Sequence, residues 1–139
     1  MTTTQLSKLP TPVALVDTQR MQANIDTMQN RMNALGVALR PHVKTSKCVD
    51  VVKRQIEAGA RGITVSTLKE AEQFFAAGIT NVLYAVGMVP SKLPQAKALR
   101  ERGCDLKIIV DSVEAALAVA AFGRDQKHVF EVWLEVDTD

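Results

Sequence analysis

Residues 60–87 read "ARGITVSTLKEAEQFFAAGITNVLYAVG" and contain one complete strand–helix–strand unit. The runs "GITVS" (62–66) and "NVLYAVG" (81–87) are short and nearly continuously apolar, which is typical of strands covered on both faces. Between them, "TLKEAEQFFAAG" (67–78) opens on a capping threonine and ends on a glycine, which predicts a helix. Neighbouring parallel strands need such a crossover helix, so this unit predicts a parallel sheet.

The same alternation extends along the rest of the chain. Further strands are predicted at 13–17, 37–44, 106–111 and 129–137, and further helices at 18–35, 46–58, 90–102 and 112–122. The total is six strands and five helices, with a period of about 20–25 residues that suits a (β/α)₈ barrel or a doubly wound sheet. None of the seven glycines forms a GxGxxG or GxxxxGK phosphate loop, which favours the barrel. The predicted class is α/β, a partial (β/α)₈ barrel.

The length of the chain does not fit a complete barrel. Eight strands with their helices need about 250 residues, whereas this chain has 139. We therefore expect the sequence to be the first part of a longer protein, or to associate with something that supplies the remaining strands. A complete small doubly wound domain is the alternative, because 139 residues are enough for one.

Composition narrows the class of protein. The chain is 47% hydrophobic and 23% charged with a net charge of +2, close to the average for globular proteins. It lacks a membrane-length apolar run and a secretory signal, so we expect a cytoplasmic protein without membrane partners. The dispersed positive charge, with one Trp and one Tyr, gives little support for nucleic-acid binding. Cys48 and Cys104 are too few for a disulfide framework or a zinc site, which predicts free thiols.

The stretch "RPHVKTSK" (40–47) carries the candidate chemistry. Lys44 ends a predicted strand, and in (β/α) barrels the catalytic side chains lie at the carboxyl ends of the strands. Nearby positive charge and partial removal from water favour the free amine of a lysine, which can condense with a carbonyl group. Lys44 is thus a candidate Schiff-base lysine. The alternative is that Lys44 and Lys47 are solvated residues at a helix start, with His42 a satisfied polar group.

Four stretches together resemble a known family. They are "LPTPVALVD" (9–17), "NIDTMQNRMNALGVALRPHVKTSKC" (24–48), "ARGITVSTLKEAEQFFAAGI" (60–79) and "EVDTD" (135–139). In register, they resemble the N-terminal part of the D-threonine aldolase and D-serine dehydratase family. Members of that family are pyridoxal-phosphate enzymes with the alanine-racemase-like barrel, called fold type III.

The resemblance implies a role for the lysine. The Arg-Pro-His-x-Lys stretch is its most specific part, and the matching lysine of the family carries pyridoxal 5'-phosphate as an internal aldimine. On this basis Lys44, rather than Lys47, is the catalytic and cofactor-binding residue. His42 has the same strand facing as Lys44 by the period of two and is expected near the cofactor ring or phosphate. The family pattern usually has His where this chain has Ser46.

The resemblance also implies a division of the chain. Residues 1–12 are an N-terminal tail, 13–17 are a strand that joins a C-terminal β-domain, and 18–139 are an incomplete barrel with about five of eight strands. The family places later the phosphate-binding loop, the residue facing the pyridine nitrogen, and the ligands of a divalent metal, Zn or Mn. No metal ligand is therefore assigned here, and the 139-residue chain alone is expected to be inactive.

The predicted function is that of a pyridoxal-phosphate-dependent lyase acting on D-3-hydroxy amino acids, of the D-threonine aldolase or D-serine dehydratase type. The resemblance implies a homodimer in the full-length form. Three alternatives stay open. They are a non-catalytic pyridoxal-phosphate-binding barrel, an amino-acid racemase of the same fold, and a truncated or interaction module that binds no cofactor.

Several other polar and aromatic residues receive structural interpretations. Ser66 and Thr67 are expected to cap the helix that follows them, and Ser112 the helix at 112–122, while Asp111 is expected to lie in a loop. Tyr84 and Trp133 lie within predicted strands and are expected in the core. The final carboxylates, Asp137 and Asp139, share a strand facing and suggest a metal site only weakly.

Overall fold

The computed structural model describes residues 5–138. Its helices are α1 (Thr18–Ala34), α2 (Val49–Glu57), α3 (Leu68–Ala76), α4 (Leu93–Glu101) and α5 (Val113–Asp125). Its strands are β1 (Ile63–Val65), β2 (Asn81–Gly87), β3 (Asp105–Val110) and β4 (Glu131–Leu134). Short 3₁₀ turns span Leu6–Lys8 and Pro90–Lys92.

The four strands form one parallel sheet in the order β1-β2-β3-β4. This confirms the predicted alternation of parallel strands and crossover helices. The strands lie side by side in chain order without a reversal, which is the arrangement of a barrel rather than of a doubly wound sheet. The lysine segment joins the β1 edge through a single parallel bridge between His42 and Thr64, so it occupies the position of a fifth strand.

One face of the sheet packs against the helices to form the core. The fully buried strand residues of this face are Ile63, Val65, Val82, Tyr84, Leu106, Ile108 and Val110. Leu68 and Phe74 from α3, with Leu93 and Leu99 from α4, cover them. Because strand side chains alternate, the intervening Thr64, Leu83, Lys107 and Ile109 face the opposite side, the inner face of the barrel.

The sheet curves, so that side chains from its two edges come close to each other on the inner face. The Arg40 guanidinium lies 5.6 Å from the ring centroid of Trp133 on β4, and it donates to the Ile63 carbonyl at 3.2 Å. A Cβ atom at Gly62 would lie 2.5 Å from an Arg40 guanidinium nitrogen, so the glycine leaves room for that side chain. Trp133 is 42% exposed rather than buried in the core, which corrects the interpretation from sequence. Tyr84 is buried as predicted.

The prediction of six strands was wrong for the lysine segment. Residues 37–44 form one bridge instead of a strand. The Leu39 carbonyl accepts the Arg61 N–H at 2.9 Å, so this part of the segment pairs with the loop before β1 rather than with the strand itself. Helix α2 begins at Val49 rather than at residue 46, because Lys47 adopts a left-handed backbone with φ of 44°.

The boundaries of two other helices also differ from the sequence interpretation. The helix predicted at 90–102 is a 3₁₀ turn followed by α4, while α5 continues to Asp125 rather than ending at 122. Residues 13–17 lie in no strand of the described chain. Their pairing with a C-terminal β-domain stays a prediction.

Between residues 5 and 12 the only helix or strand element is the 3₁₀ turn Leu6–Lys8, and the assignment of residues 1–12 to a tail stays a prediction. None of the helices between residues 5 and 138 is long and apolar enough to cross a bilayer.

Candidate functional site

Lys44 lies in a turn at the carboxyl edge of the sheet, directly after the bridged segment. Backbone bonds anchor that segment to β1: the Val43 N–H donates to the Thr64 carbonyl, and the Thr64 N–H donates to the Pro41 carbonyl, both at 2.9 Å. The Val43 side chain is fully buried under the sheet, whereas Lys44 points to solvent. A buried anchor thus presents the lysine side chain at the edge where barrel enzymes carry their catalytic groups.

His42 links the lysine to the end of β1. Its Nδ1 accepts the backbone N–H of Lys44 at 3.3 Å, and its Nε2 lies 3.4 Å from the Ser66 hydroxyl oxygen. A ring nitrogen that accepts a hydrogen bond carries no proton, so the neutral imidazole is protonated on Nε2 and donates to Ser66. Both contacts are long, and they orient the ring without burying it.

Glu70 on α3 contacts both the end of β1 and the lysine turn. Its Oε2 accepts the backbone N–H groups of Ser66 at 2.8 Å and of Thr67 at 3.2 Å, while Thr67 Oγ1 accepts the Glu70 N–H at 3.0 Å. These bonds form a capping box at the start of α3. Its other oxygen, Oε1, lies 3.0 Å from the Lys47 ammonium. That contact is an ion pair without hydrogen-bond alignment.

The two lysines of the motif therefore have different surroundings. Lys47 is held by the carboxylate of Glu70. The ammonium group of Lys44 has no ion-pair or hydrogen-bond partner among residues 5–138. A lysine that must condense with an aldehyde needs an amine that is accessible and not engaged by a carboxylate. The geometry suits Lys44 for that role better than Lys47.

The electrostatics of the site shift the pKa values of His42 and Glu70 in the directions that favour a neutral imidazole and a charged carboxylate. Partial removal from water, followed by the positive charge of Lys44, lowers the pKa of His42 below its ordinary value, and Glu70 opposes this. Burial alone would raise the pKa of Glu70. The Ser66 N–H and the Lys47 ammonium outweigh that effect, so the pKa of Glu70 is lowered.

An NMR titration of the two histidine rings checks this account. We expect the pKa of His42 to lie below 6.5 and to fall further in Glu70→Gln, because the carboxylate that stabilises the imidazolium is lost. A lowered histidine pKa means that stability falls as the pH drops below the unfolded-state value, since the unfolded chain binds the proton more tightly. His128, whose pKa is lowered by burial and then by Arg100, is the internal control and should not respond. A rise in the pKa of His42 in this variant contradicts the assignment.

The remaining candidate residues have separate roles. Thr67 and Ser112 are N-caps, as predicted, whereas Ser66 does not cap α3 and instead contacts His42. Asp111 lies between β3 and α5, and Asp137 lies beyond β4; Asp139 falls outside the described residues. Ser46 is exposed within the lysine turn. Cys48 and Cys104 are free thiols, as predicted.

Among the described residues, Lys44 lies neither beside a group of potential metal ligands nor in the cavity at α5. Within residues 5–138, no three His, Cys, Asp or Glu side chains are grouped closely enough to hold a metal ion. A cavity of about 650 Å³ lies between α5 and β4, and Val119, Phe130, Val132 and Leu134 line part of it. Val132 and Leu134 alternate with the inward Trp133, so this cavity belongs to the outer, helix-covered side of the sheet. It is an uncovered part of the packing rather than the candidate active site.

The sequence analysis did not predict a role for Glu70 at the site, and it did not predict the ion pair between Glu70 and Lys47. The capping role of Glu70 had a signal in the sequence, because a threonine followed three residues later by a glutamate, here Thr67 and Glu70, is a capping-box pattern. The ion pair to Lys47 had no local signal, since it joins segments that only the fold brings together.

Residues 16–139 match the family described as "Alanine racemase, N-terminal domain". The match covers most of the chain, and the chain belongs to this family. The fold, with its parallel strands in chain order and a lysine at their carboxyl edge, agrees with this assignment.

Two curated relatives show which enzymes of this family the chain is similar to. The chain is 68% identical over 134 residues to the D-threo-3-hydroxyaspartate dehydratase of Delftia sp. strain HT23, covering 96% of this chain and 35% of the relative. It is 33% identical over 133 residues to the D-threonine aldolase of Arthrobacter sp., covering 95% and 35%.

The solved structures agree with the curated relatives. A mutant D-threo-3-hydroxyaspartate dehydratase in its metal-free form superposes with a TM-score of 0.97 at 66% identity, covering 99% of this chain and 36% of that one. The chain thus spans about a third of the length of these relatives.

Proposed function

We propose that the full-length protein is a pyridoxal-phosphate-dependent lyase acting on D-3-hydroxy amino acids, and that Lys44 holds the cofactor. The observation that carries the proposal is the amine of Lys44, exposed at the carboxyl edge of the sheet and free of any carboxylate partner within residues 5–138. The relatives are named as dehydratases and aldolases of D-hydroxy amino acids, which supports the reaction class.

The residues present fit the cofactor. An accessible primary amine is the group that attaches to the aldehyde of pyridoxal phosphate. The lowered pKa of the neighbouring His42 favours its neutral form, which adds no second charge beside the amine. When bound, the cofactor supplies an electron sink for bonds broken at the substrate Cα. Lys44 Nζ is then the group that takes or returns the proton at Cα. His42 orients the backbone at Lys44 through its Nδ1 contact.

Among the lyases of this class, we propose a dehydratase acting on D-threo-3-hydroxyaspartate. The support is the 68% identity to a dehydratase of that substrate, against 33% to an aldolase. In the net reaction the substrate loses its Cα proton and its β-hydroxyl as water. The resulting enamine gains a proton at Cβ and becomes the imine, and hydrolysis of that imine releases ammonia and oxaloacetate. In the competing aldol cleavage, the Cα–Cβ bond breaks and the same substrate gives glycine and glyoxylate.

The proposal includes parts of the molecule beyond this sequence. A divalent metal, Zn or Mn, would bind through ligands supplied elsewhere, and a dehydratase structure described as metal-free is compatible with a metal in that relative. The metal would activate the β-hydroxyl as a leaving group. A longer barrel would cover the exposed apolar side chains of Val132 and Leu134, since parallel strands are normally buried on both faces. We further propose that the full-length protein is a homodimer. Light scattering in solution measures its mass directly.

Product analysis tests the function. The full-length protein is incubated with pyridoxal phosphate, with and without Zn²⁺ or Mn²⁺, and with D-threo-3-hydroxyaspartate, D-serine or D-threonine. We expect oxaloacetate and ammonia from the first substrate, in preference to the other two. Glycine and glyoxylate would indicate the aldolase instead, and loss of optical purity without cleavage would indicate a racemase. A cofactor band without any turnover would overturn the lyase proposal in favour of a non-catalytic cofactor-binding barrel.

A further inference from the structure

Glu70 makes more contacts than a helix cap requires. A capping-box glutamate needs only to reach the N–H of the N-cap residue, here Thr67 at 3.2 Å. Glu70 also accepts the N–H of Ser66 at 2.8 Å and pairs with Lys47 at 3.0 Å. Its side chain is only 7% exposed. Removing a carboxylate from water is costly unless partners compensate, so these contacts are what keep it charged and in place.

The two oxygens of Glu70 reach the two segments that bear the candidate site. Oε2 binds the end of β1 at Ser66, whose hydroxyl contacts His42. Oε1 reaches Lys47, which closes the turn begun by Lys44 and donates its N–H to the Val43 carbonyl at 2.9 Å. One buried carboxylate therefore connects the lysine turn to the strand against which it lies.

The backbone of Lys47 is in a conformation that needs such support. Its φ of 44° lies in the left-handed region, which residues other than glycine seldom adopt. Conformations of this kind persist where the surrounding contacts determine them, and they are common at functional sites. In this turn, the ion pair with Glu70 is the one polar contact of the Lys47 side chain within residues 5–138.

We propose that Glu70 and Lys47 are a positioning pair, which holds the turn at 44–47 so that the amine of Lys44 faces the aldehyde of the cofactor. This inference rests on the proposed function, because it assigns the pair a purpose at the same site. Neither residue reacts; both act through the orientation of Lys44. The proposal also explains why the second lysine of the motif is paired while the first is free.

The test compares variants that remove the pair from either side, in the full-length protein. Glu70→Gln keeps the size and the acceptor oxygen but loses the charge, and Lys47→Met removes the ammonium. The two measurements are the rate at which added pyridoxal phosphate attaches to the apoprotein, and the amide hydrogen exchange of residues 44–47. In each single variant we expect cofactor attachment to be about tenfold slower and amide exchange about tenfold faster. The double variant should show no further change, because all three variants lose the same contact.

Two controls separate positioning from general stability. Glu72→Gln makes the same substitution on α3, at a residue that pairs with Lys69 at 3.6 Å and accepts from Gln95, and it should leave both measurements unchanged. Lys47→Arg keeps a positive charge and should restore attachment relative to Lys47→Met. If Glu70→Gln fails to fold, Lys47→Met decides the question, since the Lys47 side chain is 63% exposed.

Unchanged attachment and exchange in Lys47→Met and Glu70→Gln would overturn the proposal, and so would additive losses in the double variant. The two proposals fail in different ways. If the unaltered protein attaches no pyridoxal phosphate, the proposed function is wrong, whereas exchange still reports whether the pair holds the turn. If the cofactor attaches equally well to the protein with and without the pair, only the positioning proposal is wrong.

Discussion

Replacing Lys44 by alanine will abolish covalent attachment of pyridoxal phosphate. The unaltered full-length protein should show a visible cofactor band that borohydride bleaches, and mass spectrometry should then place the added mass on the peptide containing Lys44. Lys44→Ala lacks the amine that attaches to the aldehyde, so the band and the added mass should both disappear. Loss of the proton-transfer role alone should lower turnover by about 10²–10⁴-fold.

Lys53→Ala is the matched control for this experiment. Lys53 lies on α2, exposed and without a partner in the described part of the chain, so its removal should leave the band and the turnover unchanged. The mass measurement also distinguishes the two lysines of the motif, because label on Lys47 would favour the other assignment. A borohydride-sensitive band that persists in Lys44→Ala would show that the central assignment is wrong.

Leu99→Ala will cause a large loss of stability. Leu99 is 1% exposed on α4, within the cluster that packs the helices against the sheet. Truncating a buried leucine loses transfer free energy and leaves a cavity, so the free energy of unfolding should fall by about 2–5 kcal/mol. Urea unfolding followed by circular dichroism measures this loss.

The control keeps the chemistry of the substitution and changes only the burial. Leu117 lies on α5 and is 62% exposed, so Leu117→Ala should change the free energy of unfolding by no more than about 0.5 kcal/mol. Both substitutions replace leucine by alanine within a helix, so helix propensity contributes equally to both. Equal losses in the two variants would mean that Leu99 is not part of the core described above.

Much of the fold follows from local patterns. The apolar runs at β1, β2 and β3 indicated buried parallel strands, and the structure has them, since such runs leave no face for water. Thr67 and Ser112 identified helix starts because a side-chain oxygen satisfies N–H groups within the same turn. These signals involve residues close together in the sequence, so they can be recognised without knowing the fold.

Other features depended on contacts between distant segments. Residues 37–44 were predicted to be a strand, yet they form one bridge, because part of the segment pairs with the loop before β1 rather than with the strand itself. Trp133 has the sequence context of a core residue, but the curl of the sheet places it on the inner face beside Arg40. Neither outcome is encoded in the period of the side chains.

Some features of the candidate site also follow from the sequence, whereas others depend on the tertiary structure. The order Arg-Pro-His-x-Lys and its resemblance to the family made Lys44 the candidate cofactor lysine before any contact was known. The sequence by itself also determined that strands alternate with helices and that a lysine follows the buried segment at Val43, because hydrophobic period and capping act over a few residues.

Only the tertiary structure decided which of the two motif lysines is free. Glu70 lies 23 positions after Lys47 in the chain and meets it across the start of α3. An ion pair depends on the separation of two charges in space, which the distance along the chain does not specify. The fold therefore assigns the carboxylate to Lys47 and leaves the amine of Lys44 available.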